Sequence, residues 1–151
     1  MKYGQELGAN CVFVDYEAAG AAVALTNSVQ LLGRRVDVRG FAVPSPSEAG
    51  VFDVKLGPGA WAPRAPHRFE RANYVVAALG PKYLGKYEYA VVTDPSKSTL
   101  YILVRDTKRF AAYEQAVLQT VAELGFTSFM NRPRKTNQER CSYASETTQW
   151  V

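Results

Sequence analysis

Hydrophobic and polar positions alternate with a period of two along most of residues 11–105. "CVFVDYEA" (11–18) sets Val12, Val14 and Tyr16 on one face. "AVALTNSVQ" (22–30) follows a break at Gly20, and "RVDVRGFAV" (35–43) opposes Val36 and Val38 to Asp37 and Arg39. "VFDVKL" (51–56) sets Phe52, Val54 and Leu56 against Asp53 and Lys55. These are the patterns of half-buried strands. "GPGAWAPRAPHRFERA" (57–72) is too rich in Pro and Gly for a central strand and reads as a long loop with Trp61 and Phe69. "NYVVAAL" (73–79) is a further strand and "GPKYLGK" a turn. In "YEYAVVTDPSKSTLYILVRD" (87–106) two strands flank a turn, with Asp94 ahead of Pro95 as a type I turn prefers.

After residue 109 the period changes. In "FAAYEQAVLQTVAELGF", Phe110, Tyr113, Val117, Val121 and Leu124 recur at spacings of three and four, which predicts one helix over about 110–125. Gly125 stands just past its end. Residues 126–151 form a polar tail. Seven strands with hairpin-sized links predict an antiparallel meander, whose edges are removed if it closes into an up-and-down barrel. "STLYILV" is apolar on both faces. Thr99, Tyr101, Leu103 and Arg105 then line the barrel, while Leu100, Ile102 and Val104 lie under a helix packed outside it. The expected architecture is one mainly β domain over 1–151: barrel strands at about 11–105, helix at about 110–125, tail at 126–151.

The bulk numbers narrow the class. A chain of 151 residues, 47% hydrophobic and 21% charged, buries a sizeable core without a metal and is not disordered. No apolar run reaches the ~18–20 residues of a spanning helix, and "MKYGQELGAN" lacks the apolar core of a secretory signal. The net charge is +4, with basic residues gathered in "RAPHRFER" (64–71) and "NRPRKTNQER" (131–140). Solvated loops explain both; an acidic lipid surface or an anionic small ligand are the other open readings. Nucleic acid is disfavoured, because no recognition helix accompanies the basic residues. The single histidine, His67, excludes a His-cluster metal site and reads as a surface loop residue.

Several stretches resemble the lipocalins, in particular the branch of apolipoprotein D and the bacterial lipocalins. "YAVVTDPSKSTLYILVRD", a linker and a helix ending in "ELGF" resemble that branch's last two strands and C-terminal helix. "GANCVFVDYEAAG" resembles its second strand, "DVRGFAV" its fourth and "NYVVAALGPKY" its sixth. The family's Gly-x-Trp first-strand motif is absent, and "LGPKYLGKYEY" replaces its Thr-Asp-Tyr motif. "MKYGQEL" resembles the link between strands one and two, so Met1 is expected to be internal to a longer product, or the first strand to be lost or supplied by another segment.

The resemblance implies that Cys11 and Cys141 form a disulfide, with an oxidising compartment (secreted, periplasmic or an organelle lumen); two free thiols in a reducing cytosol are the alternative. It implies that Arg105 closes the barrel base over an aromatic residue, for which Trp150 is a candidate; a plain strand-end cation beside Asp106 is the other reading. It implies carriage of a small hydrophobic ligand: a retinoid, carotenoid or other pigment, sterol or fatty acid. No cofactor, metal or nucleic acid is expected, and membrane contact is at most peripheral. Strand parity assigns the wall to Val14, Tyr16, Leu25, Val38, Phe52, Val54, Leu56, Tyr74, Tyr89, Val91, Tyr101 and Leu103. Trp61 joins the ligand set and, with Phe69, forms a lid, while Arg64, His67 and Arg68 favour a carboxylate head group. Each is equally explained as ordinary packing.

Two other functions remain open. A lipocalin-type enzyme needs a pocket nucleophile or paired acids, and Asp15, Asp37 and Asp53 have outward parity, so no catalytic residue is assigned. A structural subunit of a larger assembly is the other, with a protein partner pairing the edge left by the missing first strand.

Overall fold

The computed structural model describes residues 10–58, 68–128 and 132–141. The chain is mainly β, with antiparallel strands in meander order and two short helices. Contacts divide it into two compact units: one holds the described residues up to Tyr74 together with 136–141, the other holds 75–135.

The first unit is a four-strand meander: β1 (Asn10–Ala19), β2 (Ala22–Leu31), β3 (Arg34–Pro44) and β4 (Val51–Leu56). β1 and β2 pair from Phe13↔Ser28 to Ala19↔Ala22, and β2 and β3 from Val23↔Ala42 to Leu31↔Arg34. The β2–β3 turn is two residues, Leu32 (φ 49°) and Gly33 (φ 78°), the double left-handed arrangement that matches strand twist. Gly40 is required by close approach: a Cβ there would lie 2.0 Å from the Lys55 carbonyl oxygen. A cluster of Ala22, Phe41 and Val43, joined by Ala19, Ala24 and Phe69, covers part of one face.

The second unit pairs β5 (Tyr74–Leu79), β8 (Tyr89–Thr93) and β9 (Leu100–Val104) in that order. Between β5 and β8, the segment expected to be a turn is a hairpin of its own, β6 (Lys82–Tyr83) and β7 (Lys86–Tyr87). The turn after β8 is tied by Asp94, whose carboxylate accepts from the Ser96 and Thr99 amides and hydroxyls. Lys97 N–H donates to the Asp94 carbonyl at 3.0 Å, closing a turn with Pro95 at its second position.

The single helix expected over 110–125 is two: α1 (Thr107–Phe110) and α2 (Glu114–Glu123). Asp106 caps α1, its carboxylate accepting from the Lys108 and Arg109 amides. Between the helices the bonds tighten to Ala112 N–H→Arg109 O and Tyr113 N–H→Phe110 O, a change that side-chain periodicity does not register. α2 ends with Gly125 (φ 96°), and its last bonds run Gly125 N–H→Ala122 O and Phe126 N–H→Val121 O. This is a Schellman ending, and its apolar partners Phe126 and Val121 are both buried. The helical stripe packs on one face of the three strands: Phe110, Val117, Val121 and Phe126 meet Val91, Leu100 and Ile102. Each buried side chain of this size contributes about 1.5–3 kcal/mol.

Candidate functional site

The register of β1–β4 sorts their side chains onto two chemically different faces. Val14, Asn27 and Val38 form one cross-strand row, and Tyr16, Leu25, Gly40 and Leu56 the next. Ala18, Val23, Ala42 and Val54 form a third, and Phe52 pairs with Pro44 beyond it. Residues opposite one another share a face, so Val14, Tyr16, Leu25, Val38, Phe52, Val54 and Leu56 lie together. Among the described residues of these strands, Arg34 at the turn end of β3 is the one charge registered here. The face is only partly shielded: Val38 is 37% exposed and Leu56 47%. Gly40 lets the Leu56 side chain close over it, 2.8 Å from where a Cβ would stand.

Tyr74 joins this face. Its ring meets Phe52 edge-on with centroids 6.0 Å apart, and its hydroxyl lies 2.8 Å from the Tyr16 hydroxyl. Burial pushes the Tyr16 phenol up, outweighing the opposing effect of the Tyr74 bond. The pair is therefore a neutral donor–acceptor in an apolar surround. Asn27 is the polar residue that sequence reasoning missed; its parity with Leu25 in "ALTN" was the available signal.

The opposite face carries the charges. Ser28 donates to Asp37 at 2.7 Å, Arg35 Nε donates to the same oxygen at 2.7 Å, and the Arg35 guanidinium lies 4.9 Å from the Phe13 ring centroid. The bonds from Arg35 and Ser28 hold the Asp37 carboxyl below the usual carboxylate range. Asp53, buried, accepts from the Glu70 amide at 2.9 Å and the Arg71 amide at 3.3 Å. That anchorage lays residues 69–71 on the charged side, where Phe69 packs with the Phe41 cluster. Phe69 is thus no lid over the wall face. Trp61, Arg64 and His67 lie outside the described residues; Arg68 is exposed.

In the second unit, Tyr101 and Leu103 pair with Val92 and Ala90, on the face opposite the helices. Tyr89 and Val91 are corrected. They pair with Val104 and Ile102, on the helix-covered face, where Val91 is 0% exposed and Tyr89 packs at 6.2 Å from Tyr113. The register explains this: with Leu100, Ile102 and Val104 under the helices, their partners Thr93, Val91 and Tyr89 must be there too.

Arg105 donates from Nε to the Tyr87 carbonyl at 3.2 Å, and its amide donates to the Glu88 carbonyl. Burial lowers its pKa, opposed by Glu88 and aided by Arg109. Trp150 lies outside the described residues. Glu88, 3% exposed, is clasped by Arg109 through two bonds of 2.9 and 3.1 Å.

Cys11 and Cys141 are disulfide-bonded across a separation of 130 residues. The tail is also held by Cys11 N–H→Asn137 O and Gln138 Nε2→Val12 O, each 3.0 Å. Among the described residues, no group of three His, Cys, Asp or Glu is placed to hold a metal, and no helix is long and apolar enough to cross a membrane. Compared with known proteins, the chain matches no family model, no curated sequence and no solved structure.

Proposed function

We propose that the chain is a lipocalin-like barrel that carries a small hydrophobic ligand against the Val14–Leu56 face. The observation that supports this reading is the segregation of β1–β4: one face apolar, nearly free of charge and partly accessible, the other charged. A self-sufficient core would bury such a face fully, and an accessible apolar surface of this kind marks a binding site. A guest hiding about 300 Å² of apolar surface gains roughly 7 kcal/mol before the costs of ordering. Tyr16 and Tyr74 supply hydroxyls that orient the guest, as polar groups in apolar pockets do. The disulfide fits an oxidising compartment, and secretion or a lumenal location follows from the same reading.

The test is titration of intrinsic fluorescence with a retinoid, a carotenoid, a sterol and a fatty acid. Saturable quenching by at least one class is expected, and Leu56→Asp, at a half-exposed position on the wall face, is expected to weaken it at least tenfold while leaving the fold intact. Absence of saturable change with all four classes overturns the reading.

A further inference from the structure

We propose that the β6–β7 hairpin docks the chain on an anionic lipid surface. The two-residue turn joining these strands is Leu84 (φ 49°) and Gly85 (φ 78°), closed by the pair Tyr83↔Lys86. This turn type requires φ > 0 at both positions and strongly prefers Asn or Asp at the first. A leucine there is unfavourable twice over: its backbone sits in the left-handed region, and its side chain is 83% exposed. Asparagine would relieve both penalties; the Leu32–Gly33 tip carries the same cost with Leu32 fully exposed, so it is the flanking chemistry that sets a demand on this hairpin.

The flanking residues name the demand. Tyr83 is 49% exposed and Tyr87 37%. Residues 81–87 hold two lysines, Lys82 and Lys86, and no acid. Lys82 Nζ lies 4.8 Å from the Tyr87 ring centroid, and Arg109 stacks on Tyr83 at 4.6 Å. Arg109's charge is engaged by Glu88 and Asp106, which leaves the hairpin's own two lysines for an outside anion. An apolar tip, tyrosines behind it and ammonium groups at their level are the chemistry of a bilayer interface. The leucine enters the acyl boundary, the rings sit among headgroups, and the lysines meet phosphates and carboxylates.

The stem is firm. Gly80 N–H→Tyr89 O and Glu88 N–H→Pro81 O, both 2.9 Å, continue the β5–β8 ladder to the hairpin's base. The tip is therefore presented without an ordering cost. A lipid surface fits this element better than a protein does, since a stable protein interface takes about 800 Å² from each partner, far more than a six-residue hairpin offers. This proposal is independent of the ligand-carrier reading.

The experiment is co-sedimentation of the disulfide-intact chain with phosphatidylcholine vesicles, with and without phosphatidylserine. Binding is expected to the phosphatidylserine vesicles, falling as salt rises. Leu84→Asn favours the turn, so its melting temperature is expected to be equal or higher, while vesicle affinity falls about tenfold. Lys82→Gln with Lys86→Gln is expected to lower affinity by roughly 25-fold, about fivefold per charge. Failure of the wild-type chain to bind, equal binding to phosphatidylcholine alone, or undiminished binding by Leu84→Asn overturns the proposal. A protein captured through Leu84 in the absence of vesicle binding would replace the lipid as occupant and overturn it equally.

Discussion

Replacing Cys11 and Cys141 together by alanine opens a loop whose ends lie 130 residues apart. In the chain-entropy account, closing a loop of that length removes about 17 cal/mol/K from the unfolded ensemble, or about 5 kcal/mol at 25 °C. The number is insensitive to how the chain opens. If residues 75–135 stay folded while the first unit unfolds, the loop is roughly halved, and the effect falls by only about 0.6 kcal/mol. Offsetting contributions in the native state are small. The tail retains two hydrogen bonds to β1, from Cys11 N–H to Asn137 and from Gln138 to Val12, each contributing about 1 kcal/mol. The double variant is therefore expected to melt about 10–20 °C below the wild type. Urea unfolding followed by circular dichroism carries a second signature. The uncrosslinked chain expands further when unfolded, so its m-value rises. A melting decrease under about 3 °C, or an unchanged m-value, would refute the entropic account and leave tail docking dominated by local contacts.

The Glu88–Arg109 pair is asymmetric, because Glu88's side chain is 2% exposed and Arg109's 41%. Arg109→Ala strands a buried carboxylate and is expected to lower stability more than Glu88→Gln, which keeps a polar group in place and costs about 1 kcal/mol; equal losses in urea unfolding would contradict this. Burial opposes ionisation of Asp94, but bonds from Ser96, Thr99 and Ser98 outweigh it and hold the carboxyl far below the usual range. A folded pKa below the unfolded value of about 3.9 gives stability that is full at neutral pH and lost as pH falls below about 4. Asp94→Asn should thus narrow its deficit to wild type as acid is added, and a constant deficit from pH 7 to pH 3 would count against it. Gly125 has open space where a Cβ would stand, but φ is 96°, so Gly125→Ala is expected to cost about 1 kcal/mol from backbone strain alone, read as a lowered melting temperature.

Much of the strand layout was legible because alternation is local. "VFDVKL" separates Phe52, Val54 and Leu56 from Asp53 and Lys55 without outside help, and β4 occupies those residues. Where a strand is apolar on both sides, parity alone cannot choose a face. "YAVV" became legible only once the turn at 94–99 fixed Val91 against Ile102. Asp53 illustrates a longer-range limit. Its parity is that of the charged face, yet it is buried, because the chain returns 17 residues later to place the Glu70 amide on it. The β6–β7 hairpin was hidden by its own turn, since leucine is not a residue from which a left-handed turn is read. The start of α1 at Thr107, capped by Asp106, lies ahead of the stretch whose spacing predicts a helix, and the break at 111–113 carries no glycine or proline to announce it. The Cys11–Cys141 bridge came from resemblance, as spacing does not fix a pairing.

The connection from Asp94 to Thr99 looks like a spare surface loop, but it is closed to insertion. Its first residue binds Ser96 and Thr99, and its fourth, Lys97, reaches across to donate to the Leu124 carbonyl at 3.1 Å, where a cation complements the end of α2. One added residue would unseat the turn and uncouple the helix end in the same stroke. Descendants of this chain can lengthen this segment only by finding another way to fasten α2.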